Sequence, residues 1–359
     1  MRPLRIGIDA RELLGARTGV GRYLGELLAR WTAREDAHAR LFLLYSPEPL
    51  SLRWPNAIPR VLPGGRGTWW EQRALRTAIR ADGLDAFFAP AYSAPLRMPV
   101  PFAVTIHDVS FSRHPEWFRP RERHRRHLLT RSAARRAGVT ITVSEFSKRE
   151  IVELYNVPSA RVEVIPNGIT ARHVTAADRE PLVLYSGSIF NRRRLPDLIA
   201  GFARAAASVP DARLVIAGDN RTWPRQDLAA IAATHGIADR VAVRDYVSDE
   251  ELDELYARAS TFAFLSEYEG FGFTPLEALA AGLPVVAADT PVAREIYDGA
   301  VTLVPVGNIE ALGRALIRLL TAREADEAQL VTRASVLARY SWDDAARRTL
   351  AAIEGIVRT

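Results

Sequence analysis

Short apolar segments alternate with helical segments from one end of the chain to the other. This alternation predicts parallel β-sheets with helices on both faces. Helices are predicted at residues 19–31, 195–207 and 342–357. The predicted strands cover residues 4–9, 41–45, 86–89, 102–106, 139–143, 182–186, 213–217, 241–243, 261–265 and 284–287. Ligands of open parallel sheets bind beyond the carboxyl ends of the strands, so the loops after these strands are expected to hold the chemistry.

The length of the chain predicts two domains. At 359 residues it is too long for one ordinary domain, and its apolar fraction of 48% is enough for two cores. The pattern is interrupted at residues 164–172, where Pro, Asn and Gly precede a polar stretch that runs to Glu180. We interpret this segment as a linker and predict one domain over residues 1–170 and a second over residues 171–341.

Composition excludes several kinds of chemistry. The absence of cysteine excludes disulfides, thiolate metal sites and cysteine nucleophiles. Almost all basic residues are arginine, and Lys148 is the single candidate for Schiff-base chemistry. The first residues are too interrupted by charge for a signal peptide, and no stretch approaches the roughly 18 apolar residues of a spanning helix. A cytoplasmic protein with a net charge of +6 is therefore expected.

Two features of the first predicted domain lie at strand ends. Gly19 and Gly21 stand at the start of a helix, where glycines let the backbone approach a ligand and free N–H groups favour an anion. The full G-x-G-x-x-G pattern is absent because its third position is Leu24, so a simple tight turn is the alternative. His107 follows the strand at residues 102–106, and a structural role for it is as good an interpretation as a functional one.

The loop after the predicted strand at residues 182–186 is rich in arginine. Gly187 ends the strand, and Arg192, Arg193 and Arg194 precede the next helix. Three adjacent arginines are often only a solvated run of charge. At a strand end and a helix entrance, however, they are well placed to neutralise a diphosphate through bidentate hydrogen bonds.

Residues 266–289 form the most informative stretch of the second predicted domain. Glu269 closes the loop after a strand and is followed by Gly-Phe-Gly at residues 270–272. Thr274 and Glu277 have the spacing of a capping box, which predicts a structural role for Glu277 at a helix start. No comparable structural role accounts for Glu269, so it is the stronger functional candidate.

Seven segments of the chain follow one another in the order that a known family uses. They are RTGVGRYLGELL, TIHDVSFSRHPEWF, VSEFSKREI, VIPNGI, the arginine loop, DYVSDEEL and EGFGFTPLEALAAGLPVV. Together they resemble the retaining glycosyltransferases of family 4, and in particular bacterial mannosyl- and rhamnosyltransferases of surface polysaccharide synthesis. The resemblance covers nearly the whole chain and implies the GT-B architecture, in which two Rossmann-like doubly wound parallel-sheet α/β domains face each other across a cleft.

The resemblance implies roles for the residues that match the family's motifs. Glu269 and Glu277 stand at the two ends of the E-x₇-E motif, with Glu269 facing the donor sugar and Glu277 holding the ribose hydroxyls. Arg192 and Arg193 match an Arg-Lys pair that grips the diphosphate, with arginine in place of the lysine. His107 would lie beside the sugar. The backbone positions expected at the donor are Gly19, Gly21, Gly187, Gly270, Phe271 and Gly272.

The chain lacks the D-x-D motif of metal-dependent transferases. Arginines and helix N-termini are therefore expected to stabilise the leaving diphosphate, with no metal and no cofactor besides the nucleotide diphosphate sugar as co-substrate. Double displacement and same-face attack both remain open, and the resemblance favours same-face attack. The family branch implies GDP-mannose or another guanosine-diphosphate hexose and a glycan or lipid-linked acceptor. It also implies that a final helix, residues 342–359, packs back on the N-terminal domain.

Residues 119–136 hold eight arginines against one acid, Glu122. If the stretch is a helix, the residues able to pack inward are Leu128, Leu129, Ala133 and Ala134. A solvated helix in an arginine-biased chain is one interpretation, and peripheral contact with the anionic inner face of the plasma membrane is the other. Nucleic acid is not expected as a partner, because no aromatic residue interleaves with the arginines for base stacking.

Functions other than glycosyl transfer are alternative interpretations of the same residues. A glycoside hydrolase that uses Glu269 and Glu277 would leave the arginine loop unexplained. A nicotinamide dehydrogenase would need the dinucleotide fingerprint, and a non-catalytic two-domain sugar-binding protein of the periplasm would need a signal peptide. A sugar-nucleotide epimerase of the same fold remains an alternative, and it would turn over without an acceptor.

Overall fold

The computed structural model describes residues 2–15, 19–172, 178–322 and 327–358. Part of the predicted linker, residues 173–177, lies outside the described residues, as do Arg17 and Thr18 of the glycine motif. The chain divides into two compact units. The N-terminal unit comprises Met1–Gly168 and Tyr340–Thr359, and the C-terminal unit comprises Ile169–Arg339.

The N-terminal unit is built on a parallel sheet of seven strands within the described residues. The strands are β1 (Leu4–Asp9), β2 (Arg40–Ser46), β3 (Ala57–Val61), β4 (Ala86–Ala89), β5 (Phe102–Thr105), β6 (Val139–Thr142) and β7 (Val162–Val164). Their order is β3-β2-β1-β4-β5-β6-β7, so the direction of winding reverses between β1 and β4. Ile6 of β1 pairs with Phe42 on one side and Ala86 on the other.

Helices connect these strands. They are α1 (Gly19–Ala33), α2 (Arg76–Ala81), α3 (Ser110–Arg113), α4 (Pro120–Arg136) and α5 (Glu145–Tyr155). A π-helical segment, Trp70–Leu75, leads directly into α2. Trp31 of α1 stacks on Phe42 with ring centroids 5.6 Å apart and meets Phe88 edge-on at 5.9 Å. These contacts bury the apolar face of α1 against the middle of the sheet.

The C-terminal unit repeats the plan with six parallel strands among its described residues. The strands are β8 (Glu180–Ser186), β9 (Arg213–Ala217), β10 (Val241–Arg244), β11 (Ala259–Phe264), β12 (Val285–Ala288) and β13 (Thr302–Val304). The helices are α6 (Leu195–Ser208), α7 (Leu228–Thr234), α8 (Asp249–Arg258), α9 (Phe273–Ala280), α10 (Pro291–Tyr297), α11 (Ile309–Thr321) and α12 (Glu327–Ala338). The strand order β10-β9-β8-β11-β12-β13 reverses between β8 and β11.

The last helix, α13 (Trp342–Arg358), belongs to the N-terminal unit and packs on α1. The Trp31 indole N–H donates a 2.8 Å hydrogen bond to the carbonyl of Ala346. Gly168 lies so close to α13 that a Cβ atom there would stand 2.1 Å from the backbone nitrogen of Trp342. The two separate pieces of the N-terminal unit are thus joined by close backbone packing.

The predicted fold class, two doubly wound parallel-sheet α/β domains, is confirmed. Sequence reasoning missed β3, β7 and β13, each of which lies at the edge of its sheet. β3 contains Pro59 and is largely exposed, while β7 and β13 have three residues each, so none produces a long apolar run. No helix of the described residues is long and apolar enough to span a membrane.

One packing prediction for α4 is wrong. Ala133 and Ala134 are buried as expected, but the side chain of Leu128 is 48% exposed. The buried positions follow the helical spacing Thr130, Ala133 and Ala134. Leu128 precedes Thr130 by two residues and therefore points to the opposite side of the helix.

Candidate active site

The C-terminal unit gathers its polar loops where the strand order reverses. In doubly wound sheets, ligands bind at this point, beyond the carboxyl ends of the two central strands. The loop after β8 begins at Gly187, whose φ of +127° suits only glycine. A Cβ atom on Gly218, which follows β9, would lie 1.9 Å from the Gly187 carbonyl oxygen. The glycines therefore allow neighbouring loops to approach each other at the sheet edge.

A carboxylate and two guanidinium groups meet in this region. The backbone N–H of Glu267 donates to the Arg192 carbonyl at 2.9 Å and ties the loop after β11 to the loop after β8. Glu269 Oε1 lies 3.4 Å from Arg192 Nε and 2.9 Å from Arg193 Nη1. Ser266 Oγ donates to the same oxygen at 2.6 Å. We call Arg192, Arg193, Ser266 and Glu269 the Glu269 cluster.

The two guanidinium groups of the Glu269 cluster are held by aromatic rings. Arg192 lies 4.5 Å from the ring centroid of Phe190, and Arg193 lies 4.5 Å from that of Phe264. Both arginine side chains are only 14% exposed. Two cations and one carboxylate leave a net charge of +1, in a partly buried position where charge interactions are stronger than in water. This balance suits an anionic ligand.

Arg194 differs from its two neighbours. Its Nε donates to Asp197 Oδ2 at 2.6 Å, and its Nη1 donates to Glu267 Oε2 at 2.8 Å. Its φ of 53° places it in the left-handed region at the start of α6. Arg194 is therefore paired with two carboxylates of its own surroundings, whereas Arg192 and Arg193 both contact Glu269.

The predicted capping box at Thr274 is wrong. Helix α9 begins at Phe273, and the residue before it is Gly272, which has φ +85° and no side chain to cap the helix. A Cβ atom on Gly272 would lie 2.2 Å from the Tyr297 hydroxyl oxygen, so this tight approach requires glycine and sets the helix start. Glu277 is buried with 4% exposure near the middle of α9. Its structural role as a cap disappears, which strengthens the functional interpretation.

The Gly-Phe-Gly segment lies between the Glu269 cluster and α9. Gly270 and Phe271 are both buried, and the Phe271 ring packs edge-on against Phe273 with centroids 5.4 Å apart. The Phe271 side chain thus anchors the loop in the interior. The backbone of this segment runs from the carboxylate of Glu269 to the N-terminus of α9, whose N–H groups favour an anion.

The remaining predicted site residues belong to the N-terminal unit. Gly19 and Gly21 form the first turn of α1, with Gly19 exposed and Gly21 buried. The Nε2 atom of His107 lies 2.9 Å from the carbonyl oxygen of Pro90. Burial lowers the pKa of His107 below its usual value, although the Pro90 carbonyl and Asp108 oppose this shift. The imidazole is therefore neutral at neutral pH.

Sequence reasoning missed a second charged network, at the point where the N-terminal sheet reverses between β1 and β4. Arg11 Nη2 lies 2.6 Å from both Asp9 Oδ2 and Glu71 Oε2. Ser93 Oγ donates to Glu71 Oε2 at 2.7 Å. We call these four residues the Arg11 network. Asp9 ends a predicted strand and Arg11 follows it, so both could have been found by the strand-end rule. Glu71 lies in the π-helical segment and gives no periodic signal.

The described residues contain no group of three or more His, Asp or Glu side chains that could hold a metal ion. The charged groups at the edge of the C-terminal sheet are instead arginines and single carboxylates. Phosphate recognition by planar guanidinium groups is the chemistry that this arrangement favours.

Two family profiles match the chain and together span most of it. The profile described as "Glycosyltransferase Family 4" matches residues 17–173. The profile described as "Glycosyl transferases group 1" matches residues 170–334. The boundary between the two matches falls at the boundary between the two units.

Individual relatives agree with the profiles. The O-antigen chain mannosyltransferase B of Escherichia coli is 24% identical over 89% of this chain and 84% of its own length. A GDP-mannose:cellobiosyl-diphosphopolyprenol alpha-mannosyltransferase of Xanthomonas campestris is 28% identical over 75% of this chain and 72% of its own. A solved sucrose-phosphate synthase of Thermosynechococcus elongatus superposes with a TM-score of 0.78 at 18% identity, covering 98% and 99% of the two chains. The chain therefore belongs to family 4 of the glycosyltransferases and has the GT-B fold.

Proposed function

We propose that the protein transfers mannose, or alternatively rhamnose, from a guanosine-diphosphate sugar to a glycan or lipid-linked acceptor with retention of configuration. The observation that carries the proposal is the pair of largely buried guanidinium groups of Arg192 and Arg193 at the reversal point of the C-terminal sheet. The mannosyltransferase names of the E. coli and X. campestris relatives support the sugar and the base. The second name also supports a diphosphopolyprenol-linked acceptor.

Each predicted site residue has a role in this proposal. Arg192 and Arg193 bind the diphosphate and stabilise its charge as it leaves. Glu277 accepts hydrogen bonds from the ribose hydroxyls, and Glu269 positions the sugar and offsets positive charge on its ring. His107, as a neutral imidazole whose Nε2–H donates to the Pro90 carbonyl, has Nδ1 left to accept one hydrogen bond at the sugar.

In the proposed reaction, the bond between sugar C1 and the phosphate oxygen breaks and a bond from C1 to the acceptor oxygen forms. The leaving phosphate oxygen takes the electron pair of the broken bond. By same-face attack, that phosphate then accepts the proton of the acceptor hydroxyl, so that no protein nucleophile is required. The arginine pair carries most of the catalytic effect, because charge develops on the diphosphate in the transition state.

The test is a donor screen with mass spectrometry. The protein is incubated with GDP-mannose, GDP-rhamnose and UDP-glucose, each with and without a polyprenol-linked oligosaccharide acceptor. We expect GDP release and a product heavier by one hexose or deoxyhexose only when acceptor is present. Turnover of the donor without acceptor would indicate an epimerase, and preference for the uridine donor would contradict the guanosine assignment.

Glu269 provides the matching variant. Glu269→Gln should lower turnover by about 10²–10³-fold, since it removes the charge that offsets the cationic sugar ring. The fold should survive, because the amide keeps the shape of the carboxylate. Turnover near that of the wild type would contradict the role of Glu269.

We also propose that α4 places the protein on an anionic membrane surface at the cytoplasmic face. The exposed arginines of this stretch are Arg119, Arg121, Arg125, Arg126, Arg135 and Arg136. Trp69 beside it is 73% exposed, with Arg73 at 4.7 Å from its ring, and Arg125 Nη1 donates to Thr68 Oγ1 at 2.8 Å. An exposed indole among basic side chains suits the lipid headgroup region.

Vesicle sedimentation tests this surface. Binding to anionic vesicles at low salt should fall with added salt and with the substitutions Trp69→Ser and Arg121→Glu. Arg204→Glu, which changes an exposed arginine of α6, is the control. A wild-type protein that stays in the supernatant at low salt would contradict the proposal and leave α4 as a solvated basic helix.

A further inference from the structure

The Glu269 cluster has the arrangement of an anion site that a side chain of the protein already fills. Arg192 Nε, Arg193 Nη1 and Ser266 Oγ lie 3.4, 2.9 and 2.6 Å from the single oxygen Glu269 Oε1. Ser266 is buried, and its hydroxyl keeps the carboxylate on the arginines. The groups that bind an external phosphate in our proposed function are therefore the groups that hold Glu269.

Glu269 does not satisfy all the hydrogen-bond donors of this anion site. Among the described residues, the buried Nε and Nη1 atoms of Arg193 have no hydrogen-bond partner, since the approach of Nη1 to Glu269 lacks hydrogen-bond geometry. Unsatisfied buried donors are costly, so the cluster favours an anion with more charge and more acceptor oxygens than a carboxylate has.

The neighbouring carboxylate, that of Glu267, contacts a different arginine, so the contact with Arg192 and Arg193 is specific to Glu269. Glu267, two residues before Glu269, pairs with Arg194 at 2.8 Å. Asp197 completes the partners of Arg194 at 2.6 Å. The same loops thus contain one arginine that is paired with two carboxylates and one arginine pair whose contacts converge on one oxygen of Glu269.

From this contrast we propose that Glu269 is an internal competitor of the donor diphosphate, which it resembles as an anionic ligand of Arg192 and Arg193. The inference rests on the proposed function and deepens it. An arriving diphosphate displaces the carboxylate from the arginines, and the displaced carboxylate becomes available to the sugar. After transfer, the return of Glu269 to the arginines weakens the hold on the nucleoside diphosphate and favours its release.

The proposal predicts that a substitution within the binding site strengthens diphosphate binding. Glu269→Gln should tighten the binding of inorganic pyrophosphate and of guanosine and uridine diphosphates by about threefold to tenfold, because a neutral amide competes poorly for guanidinium groups. Ser266→Ala should change affinity in the same direction but less, since it only loosens the carboxylate. Glu267→Gln, which removes an equal charge from the same loop, should change affinity by less than about twofold.

The test is isothermal titration calorimetry, which measures the diphosphate affinity of the wild type and of the three variants. Thermal unfolding checks that each variant is folded. Tighter binding in Glu269→Gln and Ser266→Ala, but not in Glu267→Gln, supports the proposal. If the wild type binds diphosphates and Glu269→Gln binds them equally or more weakly, internal competition is refuted while the donor site stands. If none of the proteins binds pyrophosphate or a nucleoside diphosphate, both the donor site and the competition are refuted.

Discussion

The two sheets reverse their strand order in the same way, yet the Arg11 network and the Glu269 cluster at the two reversal points have opposite net charges. In the N-terminal unit, Arg11 lies between two carboxylates, which leaves one net negative charge. In the C-terminal unit, Arg192 and Arg193 share one carboxylate, which leaves one net positive charge. The same backbone plan thus supports two electrostatic environments, set by a few side chains at the strand ends.

The two networks also differ in how completely their groups are partnered. Arg11 donates to Asp9, Glu71 and the carbonyl of Arg66. Arg193 keeps buried donors without hydrogen-bond partners among the described residues. A saturated network stabilises the fold, whereas an unsaturated one is suited to a ligand. We therefore expect substitutions in the Arg11 network to change stability and those in the Glu269 cluster to change activity.

The largest effect is expected in the C-terminal network. The double substitution Arg192→Gln/Arg193→Gln should lower turnover by about 10³-fold or more, because it removes the groups that stabilise the leaving diphosphate. The rate of GDP release with saturating acceptor is the measurement. Arg194→Gln is the matched control in the same loop, and an equal loss of activity in that variant would remove the distinction between Arg194 and its neighbours.

The next effect concerns stability. Arg11→Met should lower the free energy of unfolding of the N-terminal unit by about 3–5 kcal/mol, because it leaves two buried carboxylates without their cation. Urea denaturation followed by tryptophan fluorescence measures it. Arg2→Gln breaks only an exposed pair with Asp85 and should cost less than about 1 kcal/mol. Adding Glu71→Gln to Arg11→Met should restore part of the loss, and a further loss would contradict the argument.

A smaller effect follows from the neutral imidazole of His107. Since burial lowers its pKa in the folded protein, the unfolded chain binds the proton more readily. Stability should therefore fall as pH drops below about 6.5, with at most about 1.4 kcal/mol lost per pH unit from this group. Denaturation at pH 7.5 and 5.5 should show a smaller fall in His107→Asn than in wild type or in the exposed control His235→Asn. An unchanged fall in His107→Asn would contradict this source of pH dependence.

The last prediction is that removal of divalent metal ions does not change turnover. If the arginine pair supplies the positive charge for the diphosphate, excess chelator should leave turnover unchanged. Strict dependence on an added divalent metal would mean that the cationic character of the C-terminal network is insufficient. It would also reopen the expectation that the reaction requires no metal.

The sequence was sufficient for the central strands and for the edge strand β10, and insufficient for the other three edge strands of the two sheets. β1, β8 and β11 are buried runs with an unmistakable apolar pattern, while β3 with Pro59 and the three-residue β7 and β13 take their structure from pairing with a neighbour. Pairing between distant segments leaves no local pattern in the sequence. Fold class could therefore be predicted, but the number of strands could not.

The same limit applies to the charged residues. Three adjacent arginines are equivalent in the sequence, and only their partners separate Arg194 from the other two. Glu71 could not be predicted because its contact with Arg11 spans 60 positions. The capping box failed because Gly272, packed under Tyr297, fixes the start of α9 before Thr274. The catalytic and donor-binding roles of the site residues remain predictions.

The position of α13 has a consequence for synthesis on the ribosome. The N-terminal unit needs this helix to cover α1, but α13 is made only after the whole C-terminal unit. During translation, the face of α1 that α13 covers therefore stays exposed until the C-terminal unit has been synthesised. A product that stops early would keep an intact C-terminal unit and an unfinished N-terminal one, which makes it a natural substrate for chaperones and proteases.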